Sequence, residues 1–280
     1  HGGLDQPREP GGGLRVADVR FHRADHRRRR VRPGFAAGAG EHGEFRRIAD
    51  GALALTGADD IEVLLMHEWG GLTRFANSEI HQSIAREDTG LRVRVVKAGH
   101  IGVAASNEAT PEGAAAAARS ALEMAEVVAA DPMWPGLAPA ADVPEFDRFF
   151  EGTAEASPEM RAEAVAELIG RCPPGSTAAG AFETIAAELG VATSEGQFCW
   201  APSTQASLTT VMTGPDGGSG FAEMFAGSAD AIDAGEIGTM AADKAVASAD
   251  PREIDAGTYT VVLEPAATAT LVGFLAFIGF

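Results

Sequence analysis

The feature that most constrains the fold is a two-residue alternation between Ile61 and Ala105. Ile61, Val63 and Leu65 alternate with Glu62 and Leu64, and Leu91, Val93 and Val95 face one side while Arg92 and Arg94 face the other. A period of two belongs to β-strands, whose successive side chains point to opposite faces. The pattern predicts an antiparallel meander with one wet face. Gly70-Gly71 and Thr89-Gly90 read as turns. Between them lie strands Leu72 to Ala76 and Glu79 to Ala85, with Ile80, Gln82 and Ile84 on one face and His81 and Ser83 on the other. Ala76-Asn77-Ser78 joins them as a hairpin corner, and His100 to Ala105 makes a last short strand.

Helices flank this meander. Phe45, Ile48, Ala49, Ala52, Leu53 and Leu55 suit one helix face between Glu44 and Leu55. Thr110-Pro111-Glu112 supplies an N-cap, a first-turn proline and an acid, so a helix starts there and runs to about Ala130, where Asp131-Pro132 stops it. The Pro-rich stretch 131–144 reads as a linker. A helix from Ser157-Pro158-Glu159 to about Gly170 follows, and Pro173-Pro174 bars its continuation. Strands are expected at Thr177–Ala187, Val191–Thr193, Phe198–Ala201, Ala206–Thr213 and Gly220–Ala226, with "TGPDGGSG" (213–220) as a flexible tip. A helix from Asp233 to Ala249, a strand at 257–265 and an apolar helix from Ala266 complete the reading. The fold class is α+β, divided as an Arg/Gly-rich extension (1–43), a helix–meander–helix domain (44–133), a central α+β domain (134–253) and the start of a third domain (254–280). The last helix reaches Phe280 with no stop signal and reads as a chain cut inside that third domain.

Charge excludes some functions. Residues 1–47 hold 11 Arg against 6 acids, which leaves 11 Lys+Arg (22 less 11) against 34 Asp+Glu (40 less 6) in residues 48–280. So acidic a body repels phosphates and argues against a nucleic-acid interface. The Arg block at 27–32 leaves one such reading open, a salt-sensitive contact confined to the extension. The extension itself, rich in Gly, Arg and Pro without apolar period, is expected to be disordered. It also lacks the apolar core of a signal peptide. No apolar run approaches the ~18 residues of a membrane span, so the expected compartment is the cytoplasm. Cys172 and Cys199 show no CxxC spacing and read as reduced structural thiols.

Few motifs carry chemistry. His67-Glu68 would need a second His four residues on to form a zincin helix, and that position is Gly71. There is no GxSxG, and "GPDGGSG" lacks the Lys-Ser/Thr of a P-loop. Arg74, Asn77 and His81 remain as candidate substrate- or partner-binding residues. Asn77 is first of all a turn residue, since Asn tolerates left-handed φ.

Arg74-Phe75-Ala76-Asn77-Ser78-Glu79-Ile80-His81-Gln82 resembles the "RFANNxIHQ" corner of the TldD/PmbA (TldD/TldE) family. Gly102 to Asn107 resembles its "GxAxTN" strand end, and Gly257 to Pro265 resembles its "GxYPVVLxP" segment. The resemblance spans about residues 44–280. It implies a cytoplasmic zinc-metallopeptidase system that processes unfolded peptides. In that family a D-type subunit bears an HExxxH zinc helix and pairs with an E-type (PmbA-like) subunit that lacks it. At the matching place this chain has Gly273-Phe274-Leu275-Ala276-Phe277-Ile278, with neither His nor Glu. The resemblance therefore implies an E-type, non-catalytic subunit that holds no metal or other cofactor, with zinc in a D-type partner and unfolded peptide as the common substrate. A regulatory, gyrase-modulating role without proteolysis is the competing implication.

Overall fold

The computed structural model describes residues 39–144 and 146–279. The Arg block at 27–32 and the expected disorder of the extension lie outside the described residues. Two successive units run helix, long strand, long strand, short strand, helix. The first is α1 (Ala39–Leu53), β1 (Asp60–Ala76), β2 (Glu79–Lys97), β3 (His100–Ser106) and α2 (Pro111–Ala125). A four-residue turn of helix, α3 (Glu151–Ala154), follows a long connection. The second unit is α4 (Pro158–Ile169), β4 (Thr177–Thr193), β5 (Phe198–Thr213), β6 (Ser219–Ala226) and α5 (Ala234–Ala247), and α6 (Pro265–Gly279) comes last.

All six strands form one antiparallel sheet in the order β3-β2-β1-β4-β5-β6. The expected boundary between the first and central domains falls in the connection, while the sheet runs unbroken across it through the β1–β4 seam. The two units are related by a pseudo-two-fold. β1 and β4 are both 17 residues long, at an offset of 117 residues (60 to 177, 76 to 193). Trp69 pairs with Ala186 at that same offset, so this pair marks the axis.

The helices cover one face only. Against β1–β3, α1 and α2 enclose Phe45, Ile48, Val63, Leu65, Leu91, Val93 and the alanines of α2. Against β4–β6, α4 and α5 enclose Val165, Leu168, Phe182, Leu208, Met212 and Ile237. The helix–strand approach is close in both units. A Cβ on Gly102 would strike the Ala121 carbonyl oxygen of α2, and one on Gly220 would strike the Ala241 carbonyl oxygen of α5. Caps fix both second helices: Thr110 Oγ1 accepts from Gly113 N at 3.0 Å, and Asp233 Oδ1 accepts from Glu236 N at 2.7 Å. A cap of this kind stabilises by about 1 kcal/mol.

The structure corrects several expected breaks. Gly70-Gly71 is not a turn, because β1 runs straight through it. Glycine is there for room: a Cβ on Gly70 would meet the Thr184 carbonyl oxygen, and one on Gly71 the Arg161 guanidinium. Thr89-Gly90 likewise lies inside β2, with Gly90 opposite Met66. The predicted pairs of short strands at 177–193 and at 198–213 are each one long strand. Gly190 makes space for the Phe45 ring, which a Cβ would approach to 2.7 Å, and is no break. Pro202 is tolerated because β6 pairs only with Ala206–Thr213, so no strand needs a donor at Pro202.

Ile80, Gln82 and Ile84 do not share a face. Phe75 pairs with Ile80 but Arg74 pairs with Gln82, so His81 is a bulge residue and the alternation changes phase across it. Helix α2 ends at Ala125 rather than near Ala130. The expected strand at 257–265 is not a strand: the segment is exposed, and among the described residues it has no ladder partner. Without a neighbour to take its backbone bonds, alternation alone does not hold a strand.

Candidate functional site

The hairpin corner is a two-residue turn with Asn77 at φ 51° and Ser78 at φ 61°. Two left-handed residues match the twist of the flanking strands, which is why Asn suits the first. Ser78 is tied to β4: its N–H donates to the Ala178 carbonyl at 2.9 Å and its Oγ accepts from Ala178 N at 3.0 Å. Burial pushes the nearby Cys172 thiol up from its ordinary pKa, while a hydrogen bond with Ser78 opposes that shift. Arg74 is exposed on the helix-free face, where Nη1 lies 3.5 Å from Gln82 Oε1, and His81 is exposed on the bulge. The three candidate residues are thus brought together at one end of the sheet.

A polar belt crosses the covered face at the pseudo-axis, between the two apolar clusters. His67 is buried, its Nδ1 2.7 Å from Thr89 Oγ1, its ring 5.2 Å from Trp69 and its Nε2 3.9 Å from Glu87. Directly opposite on β4 is buried Glu188. Burial lowers the His67 pKa below 6.5, against an opposing pull from Glu87 and Asp88. Further along, Arg161 of α4 is 2% exposed. It donates to Thr184 Oγ1 at 3.0 Å, to the Ala156 carbonyl at 2.9 Å and to Thr73 Oγ1 at 3.4 Å, so one guanidinium ties α4 to both sides of the seam. Its burial lowers its pKa, with Glu159 pulling the other way.

A family zinc does not fit these groups. Zinc needs three or four ligands near 2.0–2.3 Å, and among the described residues no three His, Cys, Asp or Glu side chains are so grouped.

Among the described residues, no helix packs on the opposite face of the sheet. Its alternate positions expose Met66, Ile84, Leu189, Val211, Phe221 and Phe225. Cross-strand ion pairs lie among them, Arg94–Glu62 at 2.8 Å and Arg86–Glu183 at 3.3 Å. Among the described residues, two stretches of edge lack a strand partner, since β3 pairs only with Leu91–Lys97 and β6 only with Ala206–Thr213.

The connection after α2, read from sequence as a plain linker, is a strap. Asp131 N–H donates to Gly99 O at 2.8 Å, and Trp134 then lies with Nε1 2.9 Å from Asp60 Oδ2 and under Arg94, 5.1 Å away. The strap next runs beside β5 in parallel. Ala141 N–H donates to Gln197 Oε1 at 2.8 Å, and seven residues later the Arg148 carbonyl accepts from Thr204 N–H at 2.9 Å. It ends on the covered face, with Phe149 6.3 Å from Trp69. Between the two pins is a cavity of about 950 Å³. Leu189, Cys199, Ala201 and Ser203 form its floor, and Asp142, Val143, Pro144, Phe146 and Arg148 form its strap wall. That volume is in the range of ligand sites. Sequence reasoning missed the cavity; the available signal was the odd-numbered small residues of β5 beside a Pro- and Phe-bearing linker.

This architecture defines a class of fold, a helix-backed antiparallel sheet of two similar halves. Residues 61–125 match the family described as PmbA/TldA metallopeptidase domain 1. Solved structures with the same fold include TldE from Thermococcus kodakarensis (TM-score 0.65, 20% identity, 72% of this chain and 46% of that one). Candidate modulators of DNA gyrase from Thermotoga maritima (0.67, 15%, 77% and 50%) and Bacteroides thetaiotaomicron (0.72, 15%, 84% and 56%) also share it. The chain thus spans about half the length of the structures it matches. No curated protein sequence matches it.

Proposed function

We propose that this chain is a non-catalytic, E-type subunit of a TldD/PmbA-like zinc peptidase that processes unfolded peptides. One observation carries the reading: among the described residues, a long sheet backed by helices on one face leaves the other face free of secondary structure. At about 3.3 Å per residue, strands of 16–19 residues offer a surface about 50–60 Å long. A surface of that shape suits an extended peptide laid along the strands of the open face. Arg74 and His81 stand at its hairpin end as candidate contacts for substrate or partner, and Asn77 sets the turn between them.

The 280 residues contain no HExxxH, so a D-type partner would bring the zinc that polarises the scissile carbonyl and activates water. The residues of this chain would hold peptide and shape the chamber. No described helix is long and apolar enough to cross a membrane; a cytoplasmic assembly is part of this proposal. Co-purification from the source cell, with the full-length protein as bait and zinc counted in the eluate, tests this. A partner bearing HExxxH with about one zinc per pair is the expected result. A bait that emerges alone and metal-free removes the peptidase reading and favours regulation by protein binding.

A further inference from the structure

We propose that Phe221, Glu223 and Phe225, on the open face of β6, form a recognition site for one basic side chain, arginine or lysine, of an extended peptide lying along that face. This rests on the reading of the chain as one that holds peptides, and it names a residue type that such a peptide presents. Ala222 and Met224, which alternate with the three, pack into the apolar cluster beneath α4 and α5. Phe221, Glu223 and Phe225 therefore share the opposite face, with successive members roughly 7 Å apart. Both phenylalanines are exposed, Phe225 by 61% and Phe221 by 40%, and half-buried Glu223 stands between them. Beside this stripe the face is low: Thr209 of β5 is opposite Glu223, Ser207 is opposite Phe225, and Ala181 of β4 follows Thr209. The stripe lies beyond the strap, whose pins on β5 are Gln197 and Thr204.

Charge selects the occupant. By their alternation, β4, β5 and β6 set two charged side chains on the open face, Glu183 and Glu223. Glu183 is held by Arg86 at 3.3 Å. Glu223 forms no ion pair among the described residues. The surrounding charges do not replace one. Arg74 stands in the same cross-strand row but three strands away, roughly 14 Å. Lys244, at the outer edge, is engaged by Glu264 at 2.8 Å and by the Phe221 carbonyl at 2.8 Å. The turn before β6 adds an acid, Asp216, and past the Phe225 end the strap carries Asp147 and Arg148, whose guanidinium lies over Phe146. An apolar side chain laid on the stripe would strip water from Glu223 and give it no partner. An acidic one would add repulsion. A guanidinium or ammonium group meets a ring face on one side and a carboxylate on the other, and cation–π attraction reaches to about 6 Å from a ring centre. The acidic body, with 34 Asp+Glu against 11 Lys+Arg in residues 48–280, also draws basic peptides from a distance.

The test is calorimetric titration of the full-length protein with acetyl-Ala-Ser-Val-Arg-Val-Ser-Ala-amide and with the same peptide carrying citrulline in place of arginine. Citrulline keeps the shape of arginine and lacks its charge. The arginine peptide is expected to bind about threefold to tenfold tighter, the size of a partly exposed ion pair with a cation–π contact. Glu223→Gln should cut that preference to about twofold or less, and Phe225→Leu should lower it by about twofold. Both variants should leave the affinity for the citrulline peptide nearly unchanged after Glu223→Gln, which separates loss of the site from loss of the fold. Equal affinity of the unaltered protein for the two peptides, or a preference that survives Glu223→Gln, would overturn the site and leave the broader reading standing. If neither the chain nor its complex with a zinc-bearing partner binds either peptide, both fall. Sedimentation of the peptide-free protein addresses the other occupant. The same species is expected before and after Glu223→Gln; a dimer that the substitution dissociates would place a basic residue of a second copy on the stripe and overturn its assignment to substrate.

Discussion

The two halves of the sheet share a plan and differ at their edges. Each has two long strands and a short one, so each leaves the first part of its second strand unpaired on the outer side. In the first half that stretch carries Arg86-Glu87-Asp88 and the His81 bulge, both of which discourage a foreign strand. In the second half the matching stretch carries Pro202 and is overlain by the strap. One edge is defended by charge and distortion, the other by a cover with space beneath it. A repeated scaffold has kept its core plan and specialised where backbone meets solvent.

Matched substitutions test how far the halves depend on each other. Leu65 and Phe182 are equivalent by the 117-residue offset and both are buried. Phe182→Ala should cost about 3–5 kcal/mol and Leu65→Ala about 2–5. For a domain of this size, the first is a fall of about 6–20 °C in Tm. Because β1 and β4 share one seam, calorimetry should show a single transition for either variant. Two transitions, with only one displaced, would mean that the halves melt separately.

Gly71→Ala comes next. The new methyl group displaces the Arg161 guanidinium from its place between Thr73 and Thr184, and about 2–3 kcal/mol should be lost through crowding and unmet hydrogen bonds. Gly71→Ala combined with Arg161→Met should recover part of that in urea melts; no recovery would show that the guanidinium is not what needs the space.

The caps allow a finer comparison. Thr110→Ala and Asp233→Ala remove equivalent caps from α2 and α5, and each should cost about 1 kcal/mol. Unequal losses in chemical denaturation would expose a difference that the shared plan hides.

The smallest effect concerns pH. Burial holds the His67 pKa below 6.5, so between the native and unfolded values the unfolded chain binds more protons. Stability is therefore complete above 6.5 and declines as pH falls through that window. His67→Gln should flatten the acid limb of Tm against pH; an unchanged limb would assign acid sensitivity to other groups.

Strand alternation and helix caps were legible because they depend on residues a few places apart. Thr110, Ser157 and Asp233 all cap the helices that the sequence predicts. The corner at Asn77-Ser78 was legible for the same reason. Gly70, Gly71, Gly190 and Pro202 misled, since what they accommodate lies about 90 to 145 residues away in the chain or is the absence of a neighbouring strand. His81 misled because a bulge is defined by its partner strand. Among the candidates, Arg74, Asn77 and His81 could be named from the corner, whereas the cavity beneath the strap exists only once the strap is laid beside β5.

The β1–β4 seam also has a consequence for synthesis. Phe75 pairs with Gly180 and Glu62 with Thr193, separations of 105 (180 less 75) and 131 (193 less 62) residues. At about 5–20 residues per second, a ribosome needs roughly 5 to 25 seconds to make the second partner after the first. Throughout that interval the nascent first half presents β1 as an open, apolar, hydrogen-bond-hungry edge. Until β4 is made, that edge of β1 is the place where a foreign strand could pair.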